Sequence, residues 1–294
     1  MKTILLLAGG SSNEREVSLR SGDNVERALT KAECKVIRID PSEANFDIKN
    51  YASRVDAALI ALHGAGGEDG TIQKQLDKSG IPYKTSSVEA SKLCWDKWAY
   101  KQLLIKNQIR VSHGILVSKE DINDQRFTRP FVLKPINGGS TLDVVIARKP
   151  TEKDIASARH YLEKYEQMLL EEVVVGTEVT IAVLGETALP VIEIIPPDNQ
   201  EFDYENKYNG ASQELAPAPH VSQDLQSIVR DLAFKIHKLT GCRGMSRTDM
   251  IIDRSGSPHV LETNTIPGLT EQSLLPKAAA AAGISMEQVV SMLI

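Results

Sequence analysis

Apolar residues along this chain fall either in short unbroken runs or at helical spacing, and near the start the two alternate. Ile4 to Ala8 is a continuous apolar run of the kind shown by a strand covered on both faces, and Gly9-Gly10-Ser11-Ser12 ends it. From Glu14 through Val17, Leu19, Val25 and Leu29 the spacing is helical, with acids in the first turn. Lys35 to Ile39 and Ala57 to Leu62 read as two further strands. The pattern predicts a β/α layer of the dinucleotide-fold type, although Gly9-Gly10-Ser11-Ser12-Asn13 lacks the third glycine of the dinucleotide fingerprint.

Farther on, Gly80-Ile81-Pro82-Tyr83 predicts a short strand and then a linker, and Ser91 to Lys97 begins the helix of a new domain. Phe131 to Lys134 reads as a strand, and Met168 to Ala182 as a strand, a connection and a second strand. A helix is expected from Val221 to Leu239, with closing helices from Leu274 to Ala282 and Met286 to Leu293. Between Pro196 and Pro219 lies a polar stretch too long for an ordinary connection, which reads as a lid over a site or as a surface loop. Met250 to Ile252 and Val260-Leu261 are the strands of an antiparallel hairpin turning at Arg254-Ser255-Gly256-Ser257.

Composition narrows the class. At 294 residues and 41% hydrophobic, the chain can build two or three domains with real cores. A formal net charge of −5 gives no reason to expect nucleic acid or an anionic membrane as a partner. Cys34, Cys94 and Cys242 lack paired spacing, which argues against a disulfide framework or a zinc site and fits a reducing cytoplasm. No run reaches the roughly 18 apolar residues of a membrane helix.

The hairpin carries the sharpest chemistry. Glu262 and Asn264 leave its second strand two apart, so the pleat sends both to one face, and pairing can bring Asp249 beside them. Two carboxylates and a carboxamide suit a hard cation such as Mg2+; an ordinary hairpin with a polar end is the other reading. His63-Gly64, with Gly66, Gly67, Glu68, Asp69 and Gly70, follows a strand's carboxyl end, where open α/β sheets bind ligands, though a glycine-rich turn is often only a turn. Lys134 precedes Gly138-Gly139-Ser140-Thr141, a loop able to fold over phosphates or to serve as a plain hairpin loop. The connection after Glu171-Glu172 suits an adenine edge, and Glu178 can accept from ribose hydroxyls.

Taken in order, Gly9 to Ser18, His63 to Gly70, Asp96-Lys97, Lys134-Pro135, Gly139-Ser140, Lys207-Tyr208, Arg247 with Asp249, and Glu262 to Gly268 running on to Ser273-Leu274 make the chain similar to the D-alanine–D-alanine ligases of the ATP-grasp superfamily. The resemblance implies an α/β chain: an ATP-grasp fold preceded by a Rossmann-like N-terminal domain. The domains expected are 1–88, a central ATP-grasp subdomain 89–180, and a C-terminal subdomain 181–294 with lid 196–219 and the metal site. It implies ATP-dependent ligation of two D-alanines through an acyl phosphate, feeding peptidoglycan synthesis, in a cytoplasmic homodimer. Residue by residue, Glu14 would hold the first ammonium, joined to Ser140 and Tyr208, while Arg247 and the Gly268 amide would stabilise the oxyanion. Ser273 and Leu274 would bind the second carboxylate, and His63 the substrate. Lys97, Lys134 and Lys207 would neutralise phosphates; Glu171, Val173 and Val174 would read adenine, and Glu178 ribose. Asp249, Glu262 and Asn264 would hold two Mg2+ ions, or Mn2+, with Glu262 bridging. The chain departs from the family pattern at Asp143, which replaces a glycine and puts an acid near the triphosphate, and at Lys74 and Lys84. A ligase using D-lactate as acceptor and a nucleotide-binding pseudoenzyme are the rival readings.

Overall fold

The computed structural model describes residues 1–139, 143–196 and 212–294. Its first layer is a parallel sheet of β1 (Thr3–Leu7), β2 (Lys35–Ile39) and β3 (Ala57–Ile60) in the order β2-β1-β3. Helix α1 (Arg15–Lys31) lays Val17, Val25 and Leu29 inward. The strand expected at 81–83 shrinks to one bridge, Ala58 with Tyr83. Pro82 has no amide to continue a ladder, and its carbonyl accepts the one bond available, from Ala58 N at 2.7 Å. After β3 the chain doubles back so tightly that a Cβ on Gly67 would stand 2.6 Å from the Leu62 carbonyl oxygen, before α2 (Thr71–Ser79) begins.

The helix expected from Ser91 is two: α3 (Val88–Trp95) and α4 (Lys97–Lys106). Asp96 divides them, taking extended backbone and capping α4 by accepting from Ala99 N at 2.8 Å. Next come β4 (Gly114–Val117), β5 (Phe131–Pro135), β6 (Val145–Ala147) and β7 (Met168–Glu172), an antiparallel sheet ordered β4-β7-β5-β6. Helix α5 (Glu152–Lys164) backs it, and Phe131, Leu133, Ala158, Leu162 and Leu170 share a core of their own.

The third sheet holds β8 (Gly176–Leu184), β9 (Thr187–Ala188), β10 (Ile192–Ile195), β11 (Gln213–Leu215), β12 (Met245–Asp253) and β13 (Pro258–Asn264). Its main path runs β11-β10-β8-β12-β13, with α6 (Gln223–Leu239) burying Val229, Ala233 and Ile236. Helices α7 (Leu274–Ala281) and α8 (Met286–Met292) return to the first layer, where Leu275, Ala278 and Val290 join the core of Leu29 and Leu59. Among the described residues no helix is long and apolar enough to cross a membrane.

Two expected boundaries move. The limit between 180 and 181 falls inside β8; the chain leaves the central sheet at Glu172 and enters the third at Gly176. The limit after 88 falls inside α3, and Cys94, Tyr100 and Leu104 pack with Val179, Met250 and Ile252 of the third sheet. The central sheet is thus an excursion that starts after Val111, which still bridges Val260, and ends at β7. The far end of the expected lid 196–219 is strand β11, paired with β10. Ser140, Lys207 and Tyr208 lie outside the described residues.

Candidate active site

Strands β12 and β13 set Arg247 opposite Asn264 and Asp249 opposite Glu262, with the register shifting just after Asp249. Alternation then puts all four side chains on one face. Asp249 accepts from Arg247 Nε at 2.9 Å and Nη2 at 2.7 Å, and from Thr180 Oγ1 of β8 at 2.5 Å. Asn264 Nδ2 reaches the same carboxylate at a stretched 3.4 Å, and Lys97 Nζ lies 3.5 Å from Glu262 Oε2. Asp249, Glu262 and Asn264 therefore converge as expected. Their donor set, two carboxylates and a carboxamide at the edge of a cleft, fits a hard divalent cation that keeps some of its waters.

Two cavities meet at this hairpin. The larger, of about 750 Å³, touches Glu14, His63, Gly268, Ser273 and Leu274 as well as Arg247. The smaller, of about 180 Å³, lies between the central and third sheets and touches Lys97, Lys134, Val173, Val174 and Glu178. Glu262 and Gly139 line both.

In the smaller cavity a buried charge cluster forms the inner wall. Glu171, 5% exposed, has Lys134 Nζ at 2.7 Å from Oε2 and Lys101 Nζ at 2.6 Å from Oε1. Burial alone would push this carboxyl up, but the Lys134 and Lys101 ammonium groups outweigh it and hold the pKa below the ordinary value. Lys134 is correspondingly raised: burial opposes its charge, and Glu171 and Glu262 more than restore it. Lys97, at the start of α4, donates to the Gly138 carbonyl and so ties the helix to the glycine loop. Val173 and Val174 occupy the connection between the two sheets, and Glu178 stands on β8 opposite Ile194 and Ile251.

The larger cavity is built on α1. His63, 5% exposed, places Nδ1 at 3.2 Å from the Ile266 carbonyl and Nε2 at 2.9 Å from Ser21 Oγ. A carbonyl only accepts, so Nδ1 carries the proton and Ser21 donates to Nε2. Ser21 in turn accepts from Leu269 N at 3.2 Å, and Asn24 Nδ2 donates to the Leu269 carbonyl at 2.8 Å. Helix α1 thus grips both polar backbone groups of the residue after Gly268. At Gly268 a Cβ would stand 2.6 Å from Ser273 Oγ and 3.1 Å from its Cβ, so a larger residue would push that hydroxyl out of place. Ser273 caps no amide of α7 and instead meets Thr270 Oγ1 at 2.8 Å, with Leu274 buried beside it. Glu14, 8% exposed at the start of α1, faces Gly139: a Cβ there would be 3.6 Å from its Oε1.

Sequence reasoning missed Lys101, Ser21 and Asn24. Asn24 could have been found as a polar residue on the apolar stripe of α1; the other two gave no signal. Asp143 does not point an acid at the nucleotide. Its carboxylate sits 2.5 Å from Lys164 Nζ and 2.5 Å from Tyr165 OH, and the residue does not line the smaller cavity. Lys74 and Lys84 are exposed and line neither cavity.

A cleft between two antiparallel sheets opens onto a carboxylate-rimmed cavity, and comparison with solved structures identifies the architecture as that of an ATP-grasp ligase. The D-alanine–D-alanine ligase of Bacillus anthracis superposes with a TM-score of 0.86 at 32% identity, covering 99% of this chain and 96% of that one. Its ATP complex gives 0.84 at 30% identity, covering 100% and 96%. A family model described as D-ala D-ala ligase C-terminus matches residues 103–294. The D-alanine–D-alanine ligase of Syntrophobacter fumaroxidans is 42% identical over 99% of this chain and 96% of its own length. The chain belongs to the D-alanine–D-alanine ligase family.

Proposed function

We propose that the protein joins two D-alanine molecules into D-alanyl-D-alanine at the expense of ATP, a carboxylate–amine ligation that supplies peptidoglycan precursors. The observation that carries the reading is the meeting of two cavities at Glu262 and Gly139, one fit for a nucleotide and one for small zwitterions. A carboxylate oxygen of the first D-alanine attacks the terminal phosphorus of ATP, and ADP leaves. The amine of the second, having lost a proton, attacks the acyl carbon, and phosphate leaves with the bonding pair. Catalysis is positioning plus charge stabilisation.

Glu14 holds the first ammonium, with Ser140 and Tyr208 completing the set and His63 shaping the wall. Arg247 and the Gly268 amide receive the oxyanion charge, and Ser273 and Leu274 take the second carboxylate at the start of α7. Lys97, Lys134 and Lys207 neutralise phosphates; Glu171, Val173 and Val174 meet adenine, and Glu178 the ribose. Asp249, Glu262 and Asn264 would hold the divalent cations, taken as two Mg2+ with Mn2+ as a substitute, which would neutralise phosphate charge. Support comes from the two cavities, which the described residues among these line, and from the family resemblance, on which alone Ser140, Lys207 and Tyr208 rest.

The architecture reads as a Rossmann-like layer followed by the two ATP-grasp sheets. The domain limits become about 1–87, a central sheet entered after Val111 and left at Glu172, and the remainder. The enzyme is taken as a cytoplasmic homodimer without nucleic-acid or membrane partners. ADP release with D-alanine, set against L-alanine, D-serine and D-lactate, tests the activity and the acceptor. Release only with D-lactate present, or no release, overturns the reading.

A further inference from the structure

The cluster behind the smaller cavity contains one charge to which the reaction assigns no role. Lys101 is 4% exposed and is not among the residues lining the cavity. Its ammonium lies 2.6 Å from the Ser112 carbonyl, 3.0 Å from Ser112 Oγ and 2.6 Å from Glu171 Oε1. An ammonium has three protons, so these three partners leave none for a ligand. Lys134 differs: it lines the cavity, and its one ion pair among the described residues is with Glu171. Glu171 lines the cavity too; Lys101 meets its Oε1 and Lys134 its Oε2, and an ionised carboxylate, which only accepts, has further lone-pair sites on its two oxygens. Acceptor capacity therefore remains for a donor entering the cavity.

We propose that Lys101 is a positioning residue for base recognition: it keeps Glu171 ionised and in place, and so selects a purine bearing an exocyclic amino group at C6 over one bearing an oxygen. The inference rests on the smaller cavity being the nucleotide site. When Lys134 turns to a phosphate, Glu171 loses its charge partner on the ligand side. Left alone at such burial, a carboxyl takes up a proton and becomes a donor, which suits a 6-oxo purine. Lys101 is anchored by Ser112 and cannot leave with the phosphate, so the carboxylate stays an acceptor. Burial lowers the pKa of Lys101 itself, with Glu171 opposing that shift, so the two charges depend on each other.

The test compares ATP with GTP in D-alanine-dependent turnover for wild type, Lys101→Met, Glu171→Gln and the double variant. Lys101→Met is expected to raise KM for ATP with little change in kcat, and to lower the ATP:GTP ratio of kcat/KM by roughly tenfold or more. In the Glu171→Gln background the same substitution changes that ratio no further. An unchanged ratio in Lys101→Met, or equal losses in both backgrounds, overturns the proposal, since a purely structural role would act without Glu171. Should Lys101→Met fail to fold, Lys101→Arg decides: it keeps the cation and should keep the preference for ATP, and loss of that preference would refute a role based on charge. A wild-type protein that neither binds ATP nor releases ADP would instead strike down the nucleotide cleft itself.

Discussion

Arg247 closes on Asp249 with both arms of its guanidinium, Nε to Oδ1 at 2.9 Å and Nη2 to Oδ2 at 2.7 Å, two residues along the same strand. A carboxylate held this way has little charge to spare, so a divalent cation arriving at Asp249 competes with the arginine. Arg247→Met is expected to tighten Mn2+ binding to the nucleotide-free protein, read by electron paramagnetic resonance. If Arg247 receives the oxyanion charge as proposed, ADP release should also fall by about 100-fold or more. Unchanged Mn2+ binding would show that the fork does not compete.

Glu262 borders both cavities and faces Asp249 across the hairpin. Glu262→Gln keeps the shape and removes the charge. Because outer contacts to a bound metal are already worth about 10- to 100-fold, loss of a direct ligand is expected to cost at least about 100-fold in ADP release. Circular dichroism and the melting temperature should stay close to wild type. Wild-type turnover would remove Glu262 from the metal site.

His237 is buried on α6, with Nδ1 2.7 Å from Ser246 Oγ, and burial together with the Lys238 ammonium pushes its pKa down to about 4. The native state therefore favours the neutral ring. Its contribution is fully present above the unfolded value of about 6.5 and is lost as pH falls toward 4, amounting to something on the order of 3 kcal/mol. Urea unfolding between pH 7 and 4.5 should show this slope, and His237→Asn should flatten it. An identical slope in the variant would assign the acid sensitivity to other groups.

Asp143 holds a left-handed backbone, φ 57°, at the end of the glycine loop while bonding Lys164 and Tyr165. Asp143→Gly loses the side-chain contacts but relaxes the backbone; Asp143→Ala loses both advantages. Alanine should be the less stable of the two by about 1 kcal/mol in denaturant melts. Equal stabilities would mean that the backbone carries no strain at this position.

The parallel opening layer and the β12–β13 hairpin were legible because each rests on local signals: unbroken apolar runs, a turn rich in Ser and Gly, and two polar residues spaced by the pleat. The break at Asp96 was not legible, since a cap between two helices looks like any acid within one. The connection after Glu172 was legible, but not that the chain changes sheets there, because Val173-Val174-Val175 carries the apolar run of β7 on toward β8 and strand pairing is not written locally. Lys101 was hidden for another reason. A lysine on a helix ordinarily faces water, and only tertiary packing against Ser112 and Glu171 turns it inward. The two-helix packing of residues 88–106 onto the third sheet likewise depends on Tyr100 meeting Thr263, at 2.6 Å, far away in sequence.

The central sheet is joined to the rest of the molecule by two strands of chain that cross side by side. The outgoing one passes His113 into β4, the returning one leaves β7 at Glu172, and Glu172 N donates to the His113 carbonyl at 2.9 Å. A paired ribbon bends easily about one axis and resists twisting, so it acts as the spine of a book whose covers are the two sheets. Val173 and Val174 lie at the spine, where the radius of rotation is small, while Gly138 and Gly139 lie out along the cover. Opening the covers would carry the phosphate end through a wide arc and leave the base end nearly still. For the nucleotide site proposed above, this geometry predicts that the base would seat with the book open and that the triphosphate would be gripped as it shuts.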